Sequence, residues 1–318
     1  MVQIAVKVLR KTQEAEGITS FELVHPAGAP LPAFSAGSHI DVTLDSGITR
    51  QYSLCNPAGE QHRYRIAVLR DPASRGGSVA MHDAVREGDV LQISEPRNHF
   101  PLVQAKRTLL FAGGIGVTPL LCMAQRLATL GAGFEMHYST RSPGRTAFQR
   151  QIADSVFADK VHFHFDDGDA GQKLDVAAVL GAPRPDSHLY VCGPTGYIAH
   201  VVDTAKALGW PTAQVHLEYF GAAPQDTTGD RPFQVKLASS GQSYEIPADQ
   251  TVVQALQQHG VEILVSCEQG VCGTCITRVL EGECDHRDMY FTDEEKAKND
   301  QFTPCCSRAK SPLLVLDL

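Results

Sequence analysis

Hydrophobic and polar residues alternate along the first third of the chain, in short segments that Gly, Pro, Asp and Ser separate. The alternating segments are 3–12, 18–25, 39–44, 50–54, 64–70 and 89–96. A period of two predicts strands with one buried face, and several such strands without long helices between them predict an antiparallel β-barrel. The N-terminal stretch MVQIAVKVLRK has the pattern of a strand and lacks a cleavage site of the signal-peptide type.

From residue 106 the pattern changes to apolar strands that alternate with amphipathic helices. The predicted strands are 107–114, 134–140, 160–166, 188–194 and 214–220, and the predicted helices are 119–131, 146–156, 175–180 and 196–209. Strand and helix alternation of this kind predicts a parallel sheet with helices on its faces.

A segment rich in Gly, Pro, Asp and Thr follows at 221–232, and it has the composition of a linker. After it come two strands that form a hairpin around Ser240 and Gly241, and then a helix over 251–260. The chain is therefore predicted to be multidomain. The predicted parts are a β-barrel domain at 1–104, an α/β domain at 105–223, a linker at 224–232 and a third domain at 233–318.

Composition and charge narrow the classes of function. No apolar stretch of the 318-residue chain approaches the roughly 18 residues that span a membrane, and we expect a cytoplasmic protein without a membrane partner. Residues 233–318 contain 7 Lys and Arg against 13 Asp and Glu, whereas the first 232 residues contain 21 against 23. An acidic C-terminal domain argues against nucleic acid as a partner and favours a basic protein surface, although acidity also aids solubility.

The third domain contains a cysteine-rich loop, SCEQGVCGTC. Six of the nine cysteines fall within the last 52 residues, which indicates metal binding in a compartment where disulfides are rare. The spacing Cys267-x4-Cys272-x2-Cys275 with a distant fourth cysteine is typical of a plant-type [2Fe–2S] cluster. Cys305, Cys306 and Cys284 compete for the fourth position. A four-cysteine zinc site and purely structural cysteines are the alternatives.

The α/β domain contains two glycine-containing strand ends. In LLFAGGIGVTPLL, three glycines that include Gly114 and Gly116 follow a strand, and Pro119 is predicted at the first helical position. Such a junction is suited to bind a pyrophosphate, although the G-x-G-x-x-G spacing is absent and a simple tight turn is the alternative. The second strand end is VCGP, where Cys192 and Gly193 are predicted at the carboxyl edge of the same sheet. Packing alone is the alternative role for Cys192.

The barrel carries groups that suit a phosphorylated aromatic cofactor. Arg50 and Tyr52 share one face of a strand, and Ser53 follows at its end. An Arg side chain binds phosphate and a Tyr ring offers a flat surface. Gly77 and Ser78 precede a short helix and add a second anion-binding feature. Each signal alone is also typical of an ordinary surface.

With RQYSL, RGGS, GGIGVTP, VCGP, HLEYF and the cysteine run, the whole chain resembles the phthalate dioxygenase reductase family, to which vanillate O-demethylase reductases belong. The resemblance implies the order flavin barrel, NAD(P) domain and C-terminal ferredoxin domain of the β-grasp fold. It also implies FMN, NADH and a [2Fe–2S] cluster as cofactors, with Cys305 as the fourth ligand.

The resemblance implies individual roles as well. Arg50, Tyr52, Ser53, Gly77 and Ser78 would hold the flavin, with Arg50 on the phosphate. Gly114, Gly116, Thr118, Pro119, Cys192 and Gly193 would receive the nicotinamide nucleotide, and Glu218 and Phe220 would lie near the flavin. Ser53, Thr118, Cys192 and Glu218 would be the catalytic residues, and Cys267, Cys272, Cys275 and Cys305 the iron ligands.

These implications predict a reductase component of a multicomponent oxygenase. Hydride would pass from NADH to FMN, and single electrons through the cluster to an oxygenase, expected to be a Rieske-type ring-hydroxylating or O-demethylating enzyme. A reductase for a diiron monooxygenase or a soluble acceptor is one alternative, and a redox-sensing regulator is another. A 2′-phosphate of NADPH could be bound by Ser139, Arg141 and Arg145. NADH is favoured instead by the acidic residues Asp166 and Asp167. A monomer is expected by analogy with the family.

Overall fold

The structure is a computed structural model that describes residues 3–222 and 225–318. The predicted domain boundary at 223 and 224 and the first two residues of the N-terminal stretch lie outside the described residues. The chain divides into two compact units, one ending at Phe220 and the other starting at Gly221. The predicted barrel and α/β domain both fall in the first unit.

The first part of this unit is a six-stranded antiparallel sheet with the strand order β4-β3-β6-β1-β2-β5. Its strands are β1 (Gln3–Ala15), β2 (Ile18–Val24), β3 (His39–Thr43), β4 (Thr49–Ser53), β5 (Tyr64–Leu69) and β6 (Val90–Ser94), and helix α1 (Gly77–Asp83) precedes β6. Just beyond β4, the Cys55 amide donates to the Arg65 carbonyl of β5 at 2.8 Å and so joins the two ends of the sheet. The predicted antiparallel barrel is confirmed.

Alternation explains why these segments form a barrel. Val6 and Val8 on β1, Phe21 and Leu23 on β2, and Ile40 on β3 are fully buried, and they pack in one apolar cluster inside the sheet. Residues between them point outward, as the period of two requires.

The second part of the unit is a parallel sheet with the strand order β11-β10-β7-β8-β9. Its strands are β7 (Arg107–Gly113), β8 (Phe134–Thr140), β9 (Val161–Phe165), β10 (Ser187–Cys192) and β11 (Val215–Glu218). Its helices are α2 (Val117–Thr129), α3 (Gln149–Ala153), α4 (Val176–Leu180) and α5 (Thr195–Ala207). Strand β7 is buried on both faces because α2 covers one side and α4 and α5 cover the other, which explains its continuous apolar run.

Two details of the helix predictions in this sheet are wrong. Pro119 is the third residue of α2, not the first, because a short 3₁₀ turn at Gly114–Gly116 leads directly into a helix that starts at Val117. A proline at the third helical position still removes no backbone hydrogen bond, because the N–H groups of the first turn have no acceptor within the helix. Helix α3 covers only Gln149–Ala153 of the predicted 146–156.

The second unit contains a five-stranded mixed sheet with the strand order β13-β12-β18-β14-β16 and a two-stranded β15-β17 pair. Its elements are β12 (Phe233–Leu237), β13 (Ser243–Ile246), α6 (Val252–Gln258), β14 (Thr277–Glu281), β15 (Cys284–Asp285), α7 (Asp293–Lys298), β16 (Gln301–Phe302), β17 (Arg308–Ala309) and β18 (Leu313–Leu316). Helix α6 begins with a capping box between Thr251 and Gln254 and buries its apolar face on the sheet. The β-grasp fold is confirmed.

The segment predicted as a linker has contacts with this second unit. Both carboxylate oxygens of Asp230 accept hydrogen bonds from the Arg287 guanidinium, at 3.0 and 2.5 Å. Arg308 lies 3.5 Å from the same carboxylate, and the Gln225 amide donates to the Arg287 carbonyl at 2.8 Å. Residues 225–232 are therefore fastened to the rest of the second unit, to which they belong. Across the described parts of the chain, none of the helices has the length and apolar character that crossing a membrane requires.

Candidate redox sites

The carboxyl edge of the parallel sheet and the end of barrel strand β4 meet at Ser53 and Glu218. The Ser53 hydroxyl donates to Glu218 Oε2 at 3.4 Å, although 165 positions separate the two residues in sequence. Cys192 is the register partner of Glu218 on the neighbouring strand β10. Three of the four predicted catalytic residues are therefore brought together.

Burial changes the protonation of this group. It raises the pKa of Glu218 to about 8, while the hydrogen bond from Ser53 acts in the opposite direction. Burial also raises the pKa of the Cys192 thiol, and the nearby Glu218 carboxyl raises it further. At neutral pH both groups therefore hold their protons, and Glu218 can exchange a proton near physiological pH.

The two glycine-containing strand ends pack directly on each other. A Cβ at Gly116 would stand 2.2 Å from the Cys192 carbonyl oxygen and 2.6 Å from the Gly193 nitrogen. A Cβ at Gly193 would stand 2.9 Å from the Gly113 Cα. Backbone contact of this kind requires glycine whether or not a nucleotide is bound. Gly114 differs, because its φ is +53° and open space surrounds it.

The remaining residues of the predicted nucleotide site are placed less directly. Thr118 is buried in the first turn of α2, where its hydroxyl donates to the Ile115 carbonyl at 3.1 Å. Pro119 is buried beside it. Phe220 is 40% exposed at the end of the first unit. The structure gives no direct contact of these three side chains with the group formed by Ser53, Cys192 and Glu218.

A second corner of the barrel brings Arg50, Gly77 and Ser78 together. Arg50 donates to the Thr49 carbonyl at 2.7 Å and to the Arg75 carbonyl at 3.3 Å. A Cβ at Gly77 would stand 2.5 Å from Arg50 Cγ, so glycine makes room for the arginine side chain. The Ser78 hydroxyl accepts from the Asp71 amide at 3.1 Å and closes the preceding loop.

Tyr52 projects from the same face of β4 as Arg50 and packs against the apolar core of the barrel. Burial raises the pKa of its phenol, and the Arg50 charge opposes that effect. The phenol therefore stays neutral and can act as a flat, uncharged surface beside a guanidinium. This donor set fits a phosphorylated aromatic group such as FMN.

The residues that bear on nucleotide choice lie at one edge of the parallel sheet. The Asp166 and Asp167 amides donate to the carbonyls of Thr140 and Arg141 at 3.0 and 3.1 Å, so both aspartates lie beside the end of β8. Arg145 pairs with Glu16 at 3.4 Å. Ser139 is directed to the Tyr197 hydroxyl at 3.5 Å.

The cysteine loop of the second unit gathers its thiols as the sequence predicted. Cys267, Cys272, Cys275 and Cys305 are each at least 93% buried. Hydrogen bonding with Cys272 and Cys305 lowers the pKa of Cys267, and Cys305 in turn interacts with Cys275. The four thiols thus form a linked chain in the order 272, 267, 305 and 275.

This arrangement fits a cluster in which each iron takes two thiolates, since Cys267 contacts Cys272 and Cys275 contacts Cys305. Within residues 3–222 and 225–318, no three His, Cys, Asp or Glu side chains are placed to hold a single metal ion. The Gln269 amide donates to Cys267 Sγ at 3.4 Å, as a negatively charged sulfur centre requires.

Two glycines allow the loop to wrap closely. Gly270 and Gly273 both have φ of +71°, a conformation that favours glycine. A Cβ at Gly270 would stand 2.4 Å from Cys306 Sγ, and one at Gly273 would stand 2.5 Å from the Tyr290 ring. Both glycines are therefore required by conformation and by space.

The two other cysteines of this unit have distinct positions. Cys284 is buried in the apolar core with Val279 and Phe302. Cys306 is partly exposed and lies 3.3 Å from Thr303 Oγ1. Its pKa is lowered to about 7, mainly by its hydrogen bond with Cys305. Cys306 is therefore a neighbour of the proposed ligands.

Two further residues near these sites are absent from the sequence-based prediction. The Tyr197 ring lies against Gly113 and Gly193, within 2.9 and 3.1 Å of the positions their Cβ atoms would take. Its place three residues after Pro194 is a signal that could have found it. Asp288 packs against the cysteine loop at Gly270 and has no local motif that marks it.

Comparison with known proteins identifies a domain and several relatives of the chain. Residues 235–310 match the family model described as a 2Fe-2S iron-sulfur cluster binding domain. Vanillate O-demethylase oxidoreductase of Pseudomonas sp. (strain HR199 / DSM 7063) is 55% identical over 319 residues, covering 100% of both chains. Tetrachlorobenzoquinone reductase of Sphingobium chlorophenolicum is 43% identical and covers 99% of this chain and 98% of its own.

The solved structure of phthalate dioxygenase reductase is also similar, with a TM-score of 0.79 and 43% identity over 99% of this chain and 98% of that one. That structure is described as modular, for electron transfer from pyridine nucleotides to [2Fe–2S]. Full-length similarity at this level establishes membership of a family. The chain therefore belongs to the oxidoreductase family that contains vanillate O-demethylase oxidoreductase and phthalate dioxygenase reductase, and it has a [2Fe–2S]-binding domain.

Proposed function

We propose that the chain is the NADH-dependent reductase component of a Rieske-type oxygenase that acts on aromatic compounds, most specifically an aromatic O-demethylase. The observation that carries the proposal is the presence, in one chain, of a hydrogen-bonded Ser53–Glu218 pair at a sheet edge and a loop of linked thiols. Full-length identity of 55% to a vanillate O-demethylase oxidoreductase supports the choice of partner.

The residues of the barrel suit FMN. Arg50 would bind the phosphate, with Gly77 leaving space beside it, and the neutral Tyr52 ring would cover the flat ring system. FMN, when bound, supplies the chemistry that turns a two-electron hydride into two single-electron transfers. Ser53 would hold its hydroxyl toward the reacting edge of the ring, and Glu218 would take up or release a proton there.

The sheet edge suits NADH better than NADPH. Two of the three groups able to hold a 2′-phosphate are engaged elsewhere, Arg145 with Glu16 and Ser139 with Tyr197. Asp166 and Asp167 stand beside Arg141 and would repel a further negative charge while accepting from a ribose hydroxyl. Gly114, with open space around it, would leave room for the pyrophosphate.

In the second unit, Cys267, Cys272, Cys275 and Cys305 would hold the cluster, with Cys284 and Cys306 outside the ligand set. The domain 233–318 carries an excess of acidic residues, 13 against 7 basic ones, and would dock a basic face of the oxygenase. Docking of this kind weakens as ionic strength rises.

The test measures product formation from a methoxylated aromatic acid by a purified Rieske-type O-demethylase, with this chain and NADH as the only reductant. We expect NADH-driven formaldehyde release that requires both proteins, and a lower kcat/KM with NADPH. Consumption of NADH without product, with every Rieske-type oxygenase tried, would contradict the proposed partner.

A reductase for a soluble acceptor is the second candidate, because a relative of 43% identity is a tetrachlorobenzoquinone reductase. The same preparation can be assayed with a chlorinated benzoquinone and no oxygenase. A kcat/KM for the quinone above that for the oxygenase would favour this second function.

A further inference from the structure

Asp288 places a buried carboxylate against the cysteine loop of the second unit. Its side chain is 0% exposed. Its Cα and Cβ lie 3.0 Å from the position that a Gly270 Cβ would take, in the segment between Cys267 and Cys272. The Met289 amide donates to the Gly270 carbonyl at 3.0 Å and fixes this contact. Asp288 is thus held beside the cysteine loop, which would carry three of the four cluster ligands.

The hydrogen bonds of Asp288 are those of an ionised acid. Oδ2 accepts from the amides of Tyr290 and Phe291 at 3.1 and 2.8 Å, and Oδ1 accepts from the Ser307 hydroxyl at 3.5 Å. A carboxylate that only accepts hydrogen bonds is in its charged form. A negative charge is therefore present in the interior of the unit.

Positive groups nearby compensate this charge only in part. Lys296 donates to the Asp288 backbone carbonyl at 2.7 Å rather than to the carboxylate. Arg287 is directed to Asp230 and Asp285. His286 Nδ1 lies 3.5 Å from Oδ1, and neither of its ring nitrogens has a hydrogen-bond partner among the described residues.

A network of hydroxyl groups connects Asp288 to Cys306, the sequence neighbour of the fourth proposed ligand. Ser307 donates to the carboxylate and lies 3.0 Å from the Thr303 hydroxyl, which lies 3.3 Å from Cys306 Sγ. Cys306 is next to Cys305 in the chain. The carboxylate therefore reaches both cysteine-bearing segments, one by direct packing and the other through hydroxyl groups.

We propose that Asp288 is a positioning residue that also sets the reduction potential of the [2Fe–2S] cluster, keeping it low through its buried negative charge. Reduction adds one electron and makes the total charge of the cluster more negative by one, and a fixed negative charge nearby opposes that step. The inference rests on the proposed ligand set of Cys267, Cys272, Cys275 and Cys305.

The test is a redox titration of the purified full-length protein, followed by the electron paramagnetic resonance signal of the reduced cluster. Asp288→Asn and Asp288→Ser remove the charge but can still accept from the amides of Tyr290 and Phe291. For both we expect the equilibrium constant for one-electron reduction to rise about tenfold, which is a potential shift of about +59 mV. Asp288→Glu retains the charge and should stay near the wild-type potential.

Glu294→Gln is the matched control, since it removes one charge from an exposed position on α7, where solvent and salt screen it. Equal potentials in wild type and a cluster-loaded neutral variant would overturn the inference, and so would loss of the cluster from both neutral variants. If the ligand assignment itself were wrong, the result would be distinguishable, because the wild-type protein would then lack iron and acid-labile sulfide.

Discussion

The two proposed redox sites are built in opposite ways. In the second unit, three of the four thiols come from one loop of nine residues, Cys267–Cys275, and glycines in that loop set its conformation. In the first unit, Ser53 and Glu218 meet across 165 positions of sequence, and each alone is an unremarkable residue. A local motif can therefore be identified from sequence, whereas a site formed by converging strands depends on the fold around it.

Glycine has different roles in the two sites as well. Gly270 and Gly273 are needed for their positive φ and for the side chains that pack over them. Gly116 and Gly193 are needed because two strand ends touch backbone to backbone. The first requirement belongs to the loop itself, and the second exists only once β7 and β10 are paired.

The largest effect is expected when one of the predicted iron ligands in the cysteine loop is replaced. Cys272→Ser should abolish the visible absorbance of the cluster and cytochrome c reduction, because one iron loses a thiolate. Reduction of the flavin by NADH should be retained, as measured by its absorbance under anaerobic conditions. Cys306→Ser is the control and should keep the cluster. Equal loss of both reactions in Cys272→Ser would contradict the assignment of flavin reduction to the first unit and of cluster-dependent electron transfer to the second.

The site in the first unit should be disrupted by a substitution at the backbone contact between its two strand ends. In Gly116→Ala the new methyl group would stand 2.2 Å from the Cys192 carbonyl, so the two strand ends must separate. We expect a loss of about 3 kcal/mol in stability, from overpacking, together with slower flavin reduction. Thermal unfolding and stopped-flow kinetics measure the two effects. Gly196→Ala, with nothing within 4 Å of its Cβ, is the control and should behave as wild type.

A moderate effect is expected at the phosphate corner. Arg50→Ala should weaken FMN binding by about 1.5–3 kcal/mol, the range for a hydrogen bond to a charged group. The dissociation constant follows from flavin fluorescence, and NADH affinity should change less. Arg86→Ala removes an exposed charge from the barrel and serves as the control. Full flavin content after dialysis of Arg50→Ala would argue against its role.

The smallest effect concerns pH. Since burial raises the pKa of Glu218 from 4.5 to about 8, the folded protein keeps a proton that the unfolded chain releases at lower pH. The resulting stability is complete below about pH 4.5 and is lost as pH rises through 8. Between pH 6.5 and 8, wild type should lose about 1–2 kcal/mol relative to Glu218→Gln. Denaturation curves at the two pH values measure this difference, and parallel behaviour of both proteins would count against it.

The sequence by itself determined the order of the elements, the parallel and antiparallel classes of sheet, and the cysteine loop, because these follow from hydrophobic period and local spacing. It misplaced Pro119 within α2, because a 3₁₀ turn at Gly114–Gly116 leads directly into a helix that begins two residues before the proline. Only the tertiary structure decided that Ser53 donates to Glu218 and that Asp288 lies buried against Gly270. These contacts join residues far apart in the chain, and neither residue type nor spacing encodes them until the strands have paired.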